Sequence, residues 1–326
     1  MSRLEPGTAF LGYSFRRGNP EPWKSFPVRH LLINAHDYRS RFRTEDGEAT
    51  AARDLLGYHG YLLCDSGGYQ VLQGSDAVDL ASIMETQRGL DADLPAMLDN
   101  ARDYRAHFRG LRSYLKEFGS EFLPVIPLDA TDRQVRRFAE ICRGYNIEAV
   151  GIGNFVPLVA PPTHYTKLEA SFRQIARLRH ALPMRHIHLF GVGGLTTGLI
   201  ALLFADSIDT TSWVHDARYW KLRLPGGGVY WTRNTTTCRR RLPEGYHCRC
   251  PICRTRGPTA VEALDQSGFQ ARATHNAWVM LREYELAAVA RRERRLRPFL
   301  ERRLRRRYPH RNVYRALEGH IRDDVR

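Results

Sequence analysis

Three acidic residues follow apolar segments of the chain, and they are the first candidates for chemistry. Asp65 ends the run Tyr61–Cys64 and is followed by a serine, two glycines and an aromatic residue, in the stretch "YLLCDSGGYQVLQG". Asp99 and Asp209 end two other apolar segments. A carboxylate in such a place can simply cap a helix or belong to a turn. Three carboxylates accompanied by glycines indicate a reactive site, provided that the fold brings them together.

Three closely spaced cysteines form a second group of candidates. Cys248, Cys250 and Cys253 form the pattern Cys-x-Cys-x-x-Cys, and His275 lies downstream. Three thiolates and one imidazole make a closed tetrahedral set, which is typical of a structural zinc ion. A disulfide is disfavoured because the N-terminus lacks the apolar segment of a secretory signal. We therefore predict one structural Zn²⁺ per chain. Two further residues could provide the fourth ligand instead of the histidine: His247 and Cys238.

The elements that must position these residues are short apolar segments rich in β-forming residues. Eight of them occur in order: Thr8–Ser14, His30–His36, Tyr61–Ser66, Leu94–Asp99, Phe122–Leu128, Ala149–Phe155, His186–Val192 and Ser207–Trp213. Several intervening segments have helical periodicity, for example those that begin at Asp132 and Ala170. Strands that alternate with helices imply parallel β/α units, and eight strands favour closure into a barrel. We therefore predict an α/β fold, a TIM-type (β/α)8 barrel.

Closure of the barrel would bring the candidate residues to one rim. In this fold the carboxyl ends of the strands meet where active sites are built. Asp65, Asp99, Gly151, Gly191 and Asp209 come at or just after such ends. The three carboxylates should therefore converge in space.

The chain divides, on this interpretation, into three parts. Residues 1–235 would form the barrel, residues 236–285 a late-inserted zinc module, and residues 286–326 a basic helical segment that packs on the barrel. No apolar run reaches the length of a transmembrane helix, and without a signal peptide the expected compartment is the cytoplasm.

The charge of the chain points to a polyanionic partner. The 326 residues carry a formal net charge of +15, and the segment Arg291–Arg307 alone has ten arginines against two glutamates. A second basic cluster begins at Cys238. Both could be solvated surfaces, but arginine binds phosphate through a planar fork, which favours a nucleic-acid backbone. The predicted phosphate contacts are Arg239, Arg240, Arg241, Arg294, Arg295, Arg302 and Arg303.

Several motifs together resemble those of the tRNA-guanine transglycosylase superfamily. They are "DSGGYQ", "HLFGVGG", "ADSIDTTSW" and the cysteine motif followed by a histidine, in this order between Leu31 and the region of His275. The resemblance implies a (β/α)8 barrel with a late zinc module. It also implies an enzyme that flips a guanine out of a nucleic acid and replaces it with a 7-deazaguanine base of the preQ0 type.

The resemblance also implies roles for individual residues. Asp209 would be the nucleophile, Asp65 the general acid/base, and Asp99 the acid that reads the donor edge of guanine. Asp206 competes with Asp209 for the first role on sequence alone. Other residues expected to contact the base are Ser66, Gly67, Gly68, Tyr69, Gln70, Gly151, Gly153, Phe190 and Gly191. Of these, the two aromatic side chains would stack on its two faces.

The sequence departs from the bacterial tRNA enzymes of this superfamily. Pro127 and Leu128 replace a glutamine-glycine pair, the basic loop after the nucleophile is missing, and no RNA-binding domain follows the zinc module. These features are more similar to the DNA 7-deazaguanine transglycosylases of Dpd modification clusters, so DNA is the expected substrate. A tRNA-guanine transglycosylase of archaeosine or queuosine type is the alternative. A second alternative is a non-catalytic zinc-containing homologue that binds nucleic acid. A homodimer or partner proteins from the modification cluster are compatible with the main interpretation.

Overall fold

The structure is a computed structural model that describes residues 4–42, 51–67, 79–99, 103–155, 164–182, 186–232, 248–305, 307 and 310–320. Eight of the candidate residues lie outside this part of the chain: Gly68, Tyr69, Gln70, Cys238, Arg239, Arg240, Arg241 and His247.

Eight parallel strands form one sheet in which neighbours in the chain are neighbours in space. The strands are β1 (Thr8–Gly12), β2 (His30–Asn34), β3 (Tyr61–Asp65), β4 (Leu94–Pro95), β5 (Val125–Pro127), β6 (Ala149–Gly153), β7 (His186–Leu189) and β8 (Ser207–Thr210). Strand β1 pairs with both β2 and β8, so the first and last strands are joined. The predicted TIM-type (β/α)8 fold is confirmed.

The barrel closes between β4 and β5 through residues that lie next to these two strands in the sequence. Ala96 forms a parallel bridge with Leu123. The amide of Met97 donates to the Leu123 carbonyl at 2.9 Å, and the amide of Leu123 donates to the Pro95 carbonyl at 2.8 Å. These bonds join the two remaining edges of the sheet, so the carboxyl ends of all eight strands face the same rim.

All eight strands end before the predicted segments do, and the difference matters most for β8 and β4. The segment that begins at Ser207 stops at Thr210, because a helix begins at Ser212, whose amide donates to the Thr210 hydroxyl at 3.1 Å. The segment that begins at Leu94 stops at Pro95. Both differences free the residues that follow each strand to line the rim.

Helices surround the barrel and form part of a smaller unit that contains the cysteine motif. They are α1 (Ala35–Phe42), α2 (Ala52–Leu56), α3 (Leu80–Gly89), α4 (Tyr104–Phe118), α5 (Asp132–Gly144), α6 (His164–Ala181), α7 (Leu195–Ala201), α8 (Ser212–Arg218), α9 (Pro251–Arg256), α10 (Thr259–Glu262), α11 (Gln266–Arg292), α12 (Leu296–Leu304) and α13 (His310–Ala316). Short 3-10 helices span Pro22–Lys24 and Glu318–His320. Sequence signals locate several starts: Thr131 and Gln134 form a capping box at the start of α5.

A β-hairpin follows the barrel and packs with the cysteine motif. Strands β9 (Lys221–Leu224) and β10 (Gly228–Trp231) pair antiparallel. The apolar side chains of this unit form a second, smaller core that is separate from the barrel core: Leu222, Tyr230, Cys250, Cys253, Val261 and Ala271.

Helix α11 runs along the barrel from the rim at the carboxyl ends of the strands to the opposite end. Its 27 residues span about 40 Å. At the first turn, Gln266 donates to the carbonyl of Gly18, in the loop after β1. At the last turn, Arg291 donates to Asp206, which precedes β8. The helix crosses the predicted boundary between residues 285 and 286, and the division of the chain stays a prediction. Among the described residues, no helix is long and apolar enough to cross a membrane.

Candidate active site

A cavity of about 460 Å³ opens at the carboxyl ends of the strands. Its wall contains all three carboxylates predicted to converge, Asp65, Asp99 and Asp209. Further wall residues come from the ends of other strands: Gly12, Asn34, Gly153, Phe190, Gly191 and Thr211. The barrel therefore gathers residues that are far apart in sequence into one concave site, which is the usual place for a reactive centre in this fold.

Asp209 is held by the loop that follows the neighbouring strand. The amide of Gly191 donates to Asp209 Oδ1 at 2.8 Å, and the amide of Val192 donates to the Asp209 carbonyl at 3.1 Å. Gly191 has a φ of +72°, a conformation that glycine adopts at little cost. Gly191 thus orients the Asp209 carboxylate through a hydrogen bond, and its predicted contact with the base stays a prediction.

A buried polar array lies beneath Asp209 and was not found from the sequence. His188 Nε2 lies 3.5 Å from Asp209 Oδ1, and His188 Nδ1 lies 2.8 Å from the Ser207 hydroxyl. His186 Nε2 contacts the same hydroxyl at 2.7 Å. Burial lowers the pKa of His186 to about 4, so this ring is neutral at pH 7. The sequence did contain a signal for this array: His186 and His188 alternate on β7, and Ser207 and Asp209 alternate on β8. In a strand, alternate residues point to the same side, here the barrel interior.

Asp65 is oriented by the end of the adjacent strand β2. Asn34 Nδ2 donates to Asp65 Oδ2 at 3.1 Å, while Asn34 Oδ1 accepts the amide of Asp37 at 3.1 Å. Burial, followed by the charges of Asp99 and Asp209, raises the pKa of Asp65 to about 7. The carboxyl can therefore both give and accept a proton near neutral pH.

Asp99, which follows β4, reaches past β5 to β6. A Cβ added at Gly153 would overlap the Asp99 carboxylate and would lie 3.1 Å from Val125 Cγ1. Burial, with a smaller effect of the charge on Asp129, raises the pKa of Asp99 to about 6. The Asp99 carboxylate therefore fits in this position only because Gly153 has no side chain.

Gly151 makes room for Phe190 in the same way. A Cβ at Gly151 would lie 2.5 Å from Phe190 Cε2. Phe190 lines the cavity and packs edge-on against His188, with ring centroids 4.4 Å apart. Gly151 and Gly153 both belong to strand β6, within the predicted segment Ala149–Phe155, and their contact with a base stays a prediction.

The two described residues after Asp65 are less open to the cavity than expected. Ser66 is 1% exposed, and its hydroxyl donates to the Met97 carbonyl at 3.4 Å. Gly67 has a φ of +94°, and a Cβ there would lie 2.5 Å from His36 Cβ. Packing against the start of α1 therefore requires glycine at this position.

Asp206 lies at the opposite end of β8 from Asp209. Its carboxylate is bound by Arg179 at 2.5 Å and by Arg291 at 2.8 Å, and it accepts the amide of Ile187 at 2.9 Å. Burial disfavours the charged form, but the two guanidinium groups outweigh it and hold the pKa of Asp206 below its ordinary value. Asp206 is therefore a structural ion-pair partner beneath the barrel.

The arginine-rich segment is divided between internal and exposed side chains. Arg291 binds Asp206, and Arg303 binds the buried Glu283 at 2.8 Å. Arg294, Arg295 and Arg302 are exposed. The first two follow directly after the end of α11, at the barrel face opposite the cavity. Phosphate binding by this segment stays a prediction.

The cysteine motif and His275 meet in the geometry of a zinc centre. The three Sγ atoms of Cys248, Cys250 and Cys253 and His275 Nδ1 all lie within 4.8 Å of one another. The distances from Nδ1 to the sulfurs are 3.5, 3.3 and 3.5 Å, close to the value of about 3.6 Å expected around a tetrahedral zinc ion. His275 Nε2 lies 2.7 Å from the Arg223 carbonyl, which leaves Nδ1 free to bind the metal. The residues fit a structural Zn²⁺.

Comparisons with known proteins find several relatives of similar sequence. No protein-family model matches the chain. Proteins named tRNA-guanine(15) transglycosylase are similar to it: 28% identical over 315 residues in Archaeoglobus fulgidus, 27% over 298 residues in Pyrococcus abyssi, and 26% over 291 residues in Aeropyrum pernix. These alignments cover 87%, 87% and 83% of this chain but 60%, 49% and 54% of the relatives, so the chain spans between about half and three fifths of their length. The chain is thus similar, over most of its length, to proteins of the tRNA-guanine transglycosylase superfamily.

Proposed function

We propose that the chain is a guanine transglycosylase, a pentosyltransferase that exchanges a guanine base of a nucleic acid for a free 7-deazaguanine base. One observation carries this proposal: a single cavity combines Asp209, oriented by the Gly191 amide, with Asp65, whose pKa lies at about 7. A fixed nucleophile beside a carboxyl that can exchange protons is the equipment for double displacement at a glycosidic carbon.

In the first step, Asp209 acts as the nucleophile. An oxygen of its carboxylate forms a bond to C1′ of the sugar while the bond from C1′ to the guanine breaks. Asp65 donates its proton to the departing base and becomes charged. In the second step, the incoming base loses a proton to Asp65 and attacks C1′, and the ester with Asp209 breaks. Two inversions restore the original configuration, and each residue returns to its starting state.

Asp99 provides the selectivity for guanine in this scheme. The Watson–Crick edge of guanine presents two adjacent donors, N1–H and the N2 amino group, and a carboxylate accepts both. Adenine lacks this donor pair, so it would leave the buried Asp99 without partners, which is costly. Phe190, on the same cavity wall, supplies an aromatic surface for one face of the base.

The relatives favour tRNA over DNA as the polymer. All three carry a name that specifies tRNA and guanine at position 15. This finding supports the alternative considered from the sequence rather than the DNA substrate expected first. We therefore propose guanine exchange in tRNA, with the net charge of +15 attracting the polyanion.

A guanine exchange assay tests the proposal directly. One preparation of the protein is incubated with labelled guanine and with a tRNA transcript or duplex DNA, and label in the polymer is counted. We expect incorporation into tRNA and none with Asp209→Asn. Incorporation into DNA alone would restore the DNA-modifying interpretation. Incorporation into neither polymer, from folded protein that still binds nucleic acid, would favour the non-catalytic homologue.

A further inference from the structure

A second cavity of about 370 Å³ adjoins the candidate active site. Asn19 and Arg218 belong to the walls of both cavities, so the two cavities adjoin on the rim, and together they are called the groove. Arg16 lines the first cavity and Arg17 lines the second. Arginines therefore line the groove from the edge of the candidate active site outward.

Two of these arginines are presented by a tight turn after strand β1. The amide of Asn19 donates to the Arg16 carbonyl at 3.1 Å, and Gly18 has a φ of +78°. This is the pattern of a type II turn, whose third position requires a positive φ. Arg16 and Arg17 are both exposed.

The turn is fixed in place by its neighbours. Its Asn19 side chain donates to the Ser14 carbonyl at 2.7 Å and accepts from Arg218 at 2.6 Å. The Gly18 carbonyl accepts from Gln266, at the first turn of α11, at 2.9 Å. Strands β1 and β8 pair directly, which is why the loop after β1 lies beside α8, the helix that ends at Arg218. The backbone from which Arg16 and Arg17 extend is therefore fixed before any ligand arrives.

The three arginines of the groove are not engaged in ion pairs with the described part of the chain. Within the residues that the structure describes, Arg16, Arg17 and Arg218 form no ion pair with a carboxylate. Asp265, the acid in the wall of the second cavity, instead caps α11 by accepting the Gly268 amide at 2.8 Å. These arginines differ in this respect from Arg291 and Arg303, which pair with buried acids.

We propose that Arg16, Arg17 and Arg218 bind the phosphodiester groups next to the flipped guanine nucleotide. This inference rests on the proposed function. A base inserted among the three carboxylates leaves its sugar and phosphates at the mouth of the first cavity, beside Arg16 and Arg218. The neighbouring nucleotide then lies along the second cavity, near Arg17. Arginine suits this task because its planar fork forms paired hydrogen bonds to phosphate oxygens. The phosphodiester is common to RNA and DNA.

The salt dependence of binding tests this inference. We compare wild-type protein with Arg16→Gln/Arg17→Gln and with Arg218→Gln. The control is Arg112→Gln/Lys116→Gln, which removes two charges from exposed positions on α4. Dissociation constants for a tRNA transcript and for duplex DNA are measured over a range of salt concentrations. Melting temperatures establish that each variant is folded. Arg16 and Arg17 are the primary test because Arg218 also supports the turn through Asn19.

We expect the double variant in the turn to bind more weakly and to show a shallower salt dependence. The slope of log K against log salt should fall by about 0.7 to 0.9 for each phosphate that the variant no longer neutralises, whereas the α4 control should keep the wild-type slope. An unchanged slope in the Arg16/Arg17 variant overturns the inference. It leaves the proposed function intact if the wild type still exchanges guanine. A wild-type protein that neither binds nucleic acid nor exchanges guanine overturns both.

A third pair of substitutions distinguishes the groove from the arginine-rich segment. Arg294→Gln/Arg295→Gln neutralises exposed charges at the barrel face opposite the cavity. A reduced slope in this variant, with a normal slope in the Arg16/Arg17 variant, would overturn the inference and show that the backbone crosses the opposite face.

Discussion

Asp206 comes just before strand β8 and Asp209 is its third residue, so the strand separates a carboxylate paired with arginines from one that borders the cavity. Asp206 is 2% exposed and paired with Arg179 and Arg291, whereas Asp209 borders the cavity and accepts the Gly191 amide. Sequence spacing alone left both residues as candidates for the nucleophile. Their different partners predict opposite consequences of the same substitution.

Asp209→Asn should abolish guanine exchange and leave the fold intact, because asparagine keeps the shape but cannot form the ester with C1′. Asp206→Asn should destabilise the protein by about 3–5 kcal/mol, since it breaks a buried ion pair and leaves two guanidinium groups without a charged partner. Urea denaturation measures the second effect. Trapping of a denaturation-resistant adduct with nucleic acid measures the first.

An adduct formed by Asp209→Asn would contradict this assignment. If that adduct disappeared instead in Asp65→Asn, the roles of the two carboxylates would have to be exchanged. Unaltered stability of Asp206→Asn would show that the ion pairs at the base of β8 contribute little.

The barrel and its rim could be predicted from the sequence because they depend on local patterns. Each strand is a short apolar segment, and Asp65 and Asp209 come where those segments end. What could not be predicted depends on contacts between distant residues. The bond from Asn34 to Asp65 joins residues 31 positions apart, and the ion pair between Asp206 and Arg291 joins residues 85 positions apart. No periodicity or spacing reports such pairs.

The raised pKa of Asp65 predicts a stability that depends on pH. Between the ordinary value of 3.8 and the folded value of about 7, the folded state holds a proton that the unfolded state has lost. The free energy of unfolding therefore falls as the pH rises through this range. Asp65→Asn removes this penalty, so the variant should gain stability over wild type, and the gain should grow by on the order of 2 kcal/mol between pH 5 and pH 8. Its turnover should fall about 10²-fold or more.

Chemical denaturation of both proteins at pH 5 and pH 8 checks this prediction. Asp99, whose pKa is raised to about 6, contributes in the same direction but is present in both proteins. A stability difference that stays constant between the two pH values would show that Asp65 titrates normally.

Removal of the metal should unfold the unit formed by the hairpin, α9 and the start of α11. We expect about one zinc ion per chain by mass spectrometry, and its loss on chelation should lower the melting temperature, because binding of a structural zinc contributes directly to folding. Cys250→Ser should lose the ion. Cys142→Ser, in the buried face of α5, is the matched control and should retain it. A metal-free preparation with an unchanged melting curve would refute a structural role for the ion.

The close approach of Asp99 to Gly153 predicts that one methyl group can disturb base recognition. In Gly153→Ala the new Cβ would overlap the Asp99 carboxylate and displace it from the cavity wall. We expect KM for guanine to rise at least about tenfold, with a smaller change in kcat, since an acid that recognises the base contributes mainly to binding. Crowding in the barrel should also cost about 1–3 kcal/mol of stability.

Gly144→Ala provides the control for this prediction. Gly144 ends α5, and a Cβ there would have no neighbour within 4 Å, so the substitution should leave exchange unchanged and stabilise the helix slightly. In the double variant Gly153→Ala/Asp99→Ala, the overlap disappears together with the carboxylate. Its stability loss should therefore be smaller than the sum of the two single losses, as expected for residues in contact. A wild-type KM in Gly153→Ala would show that the carboxylate can move without affecting the base. Additive stability losses in the double variant would show that the new methyl group and the carboxylate do not overlap.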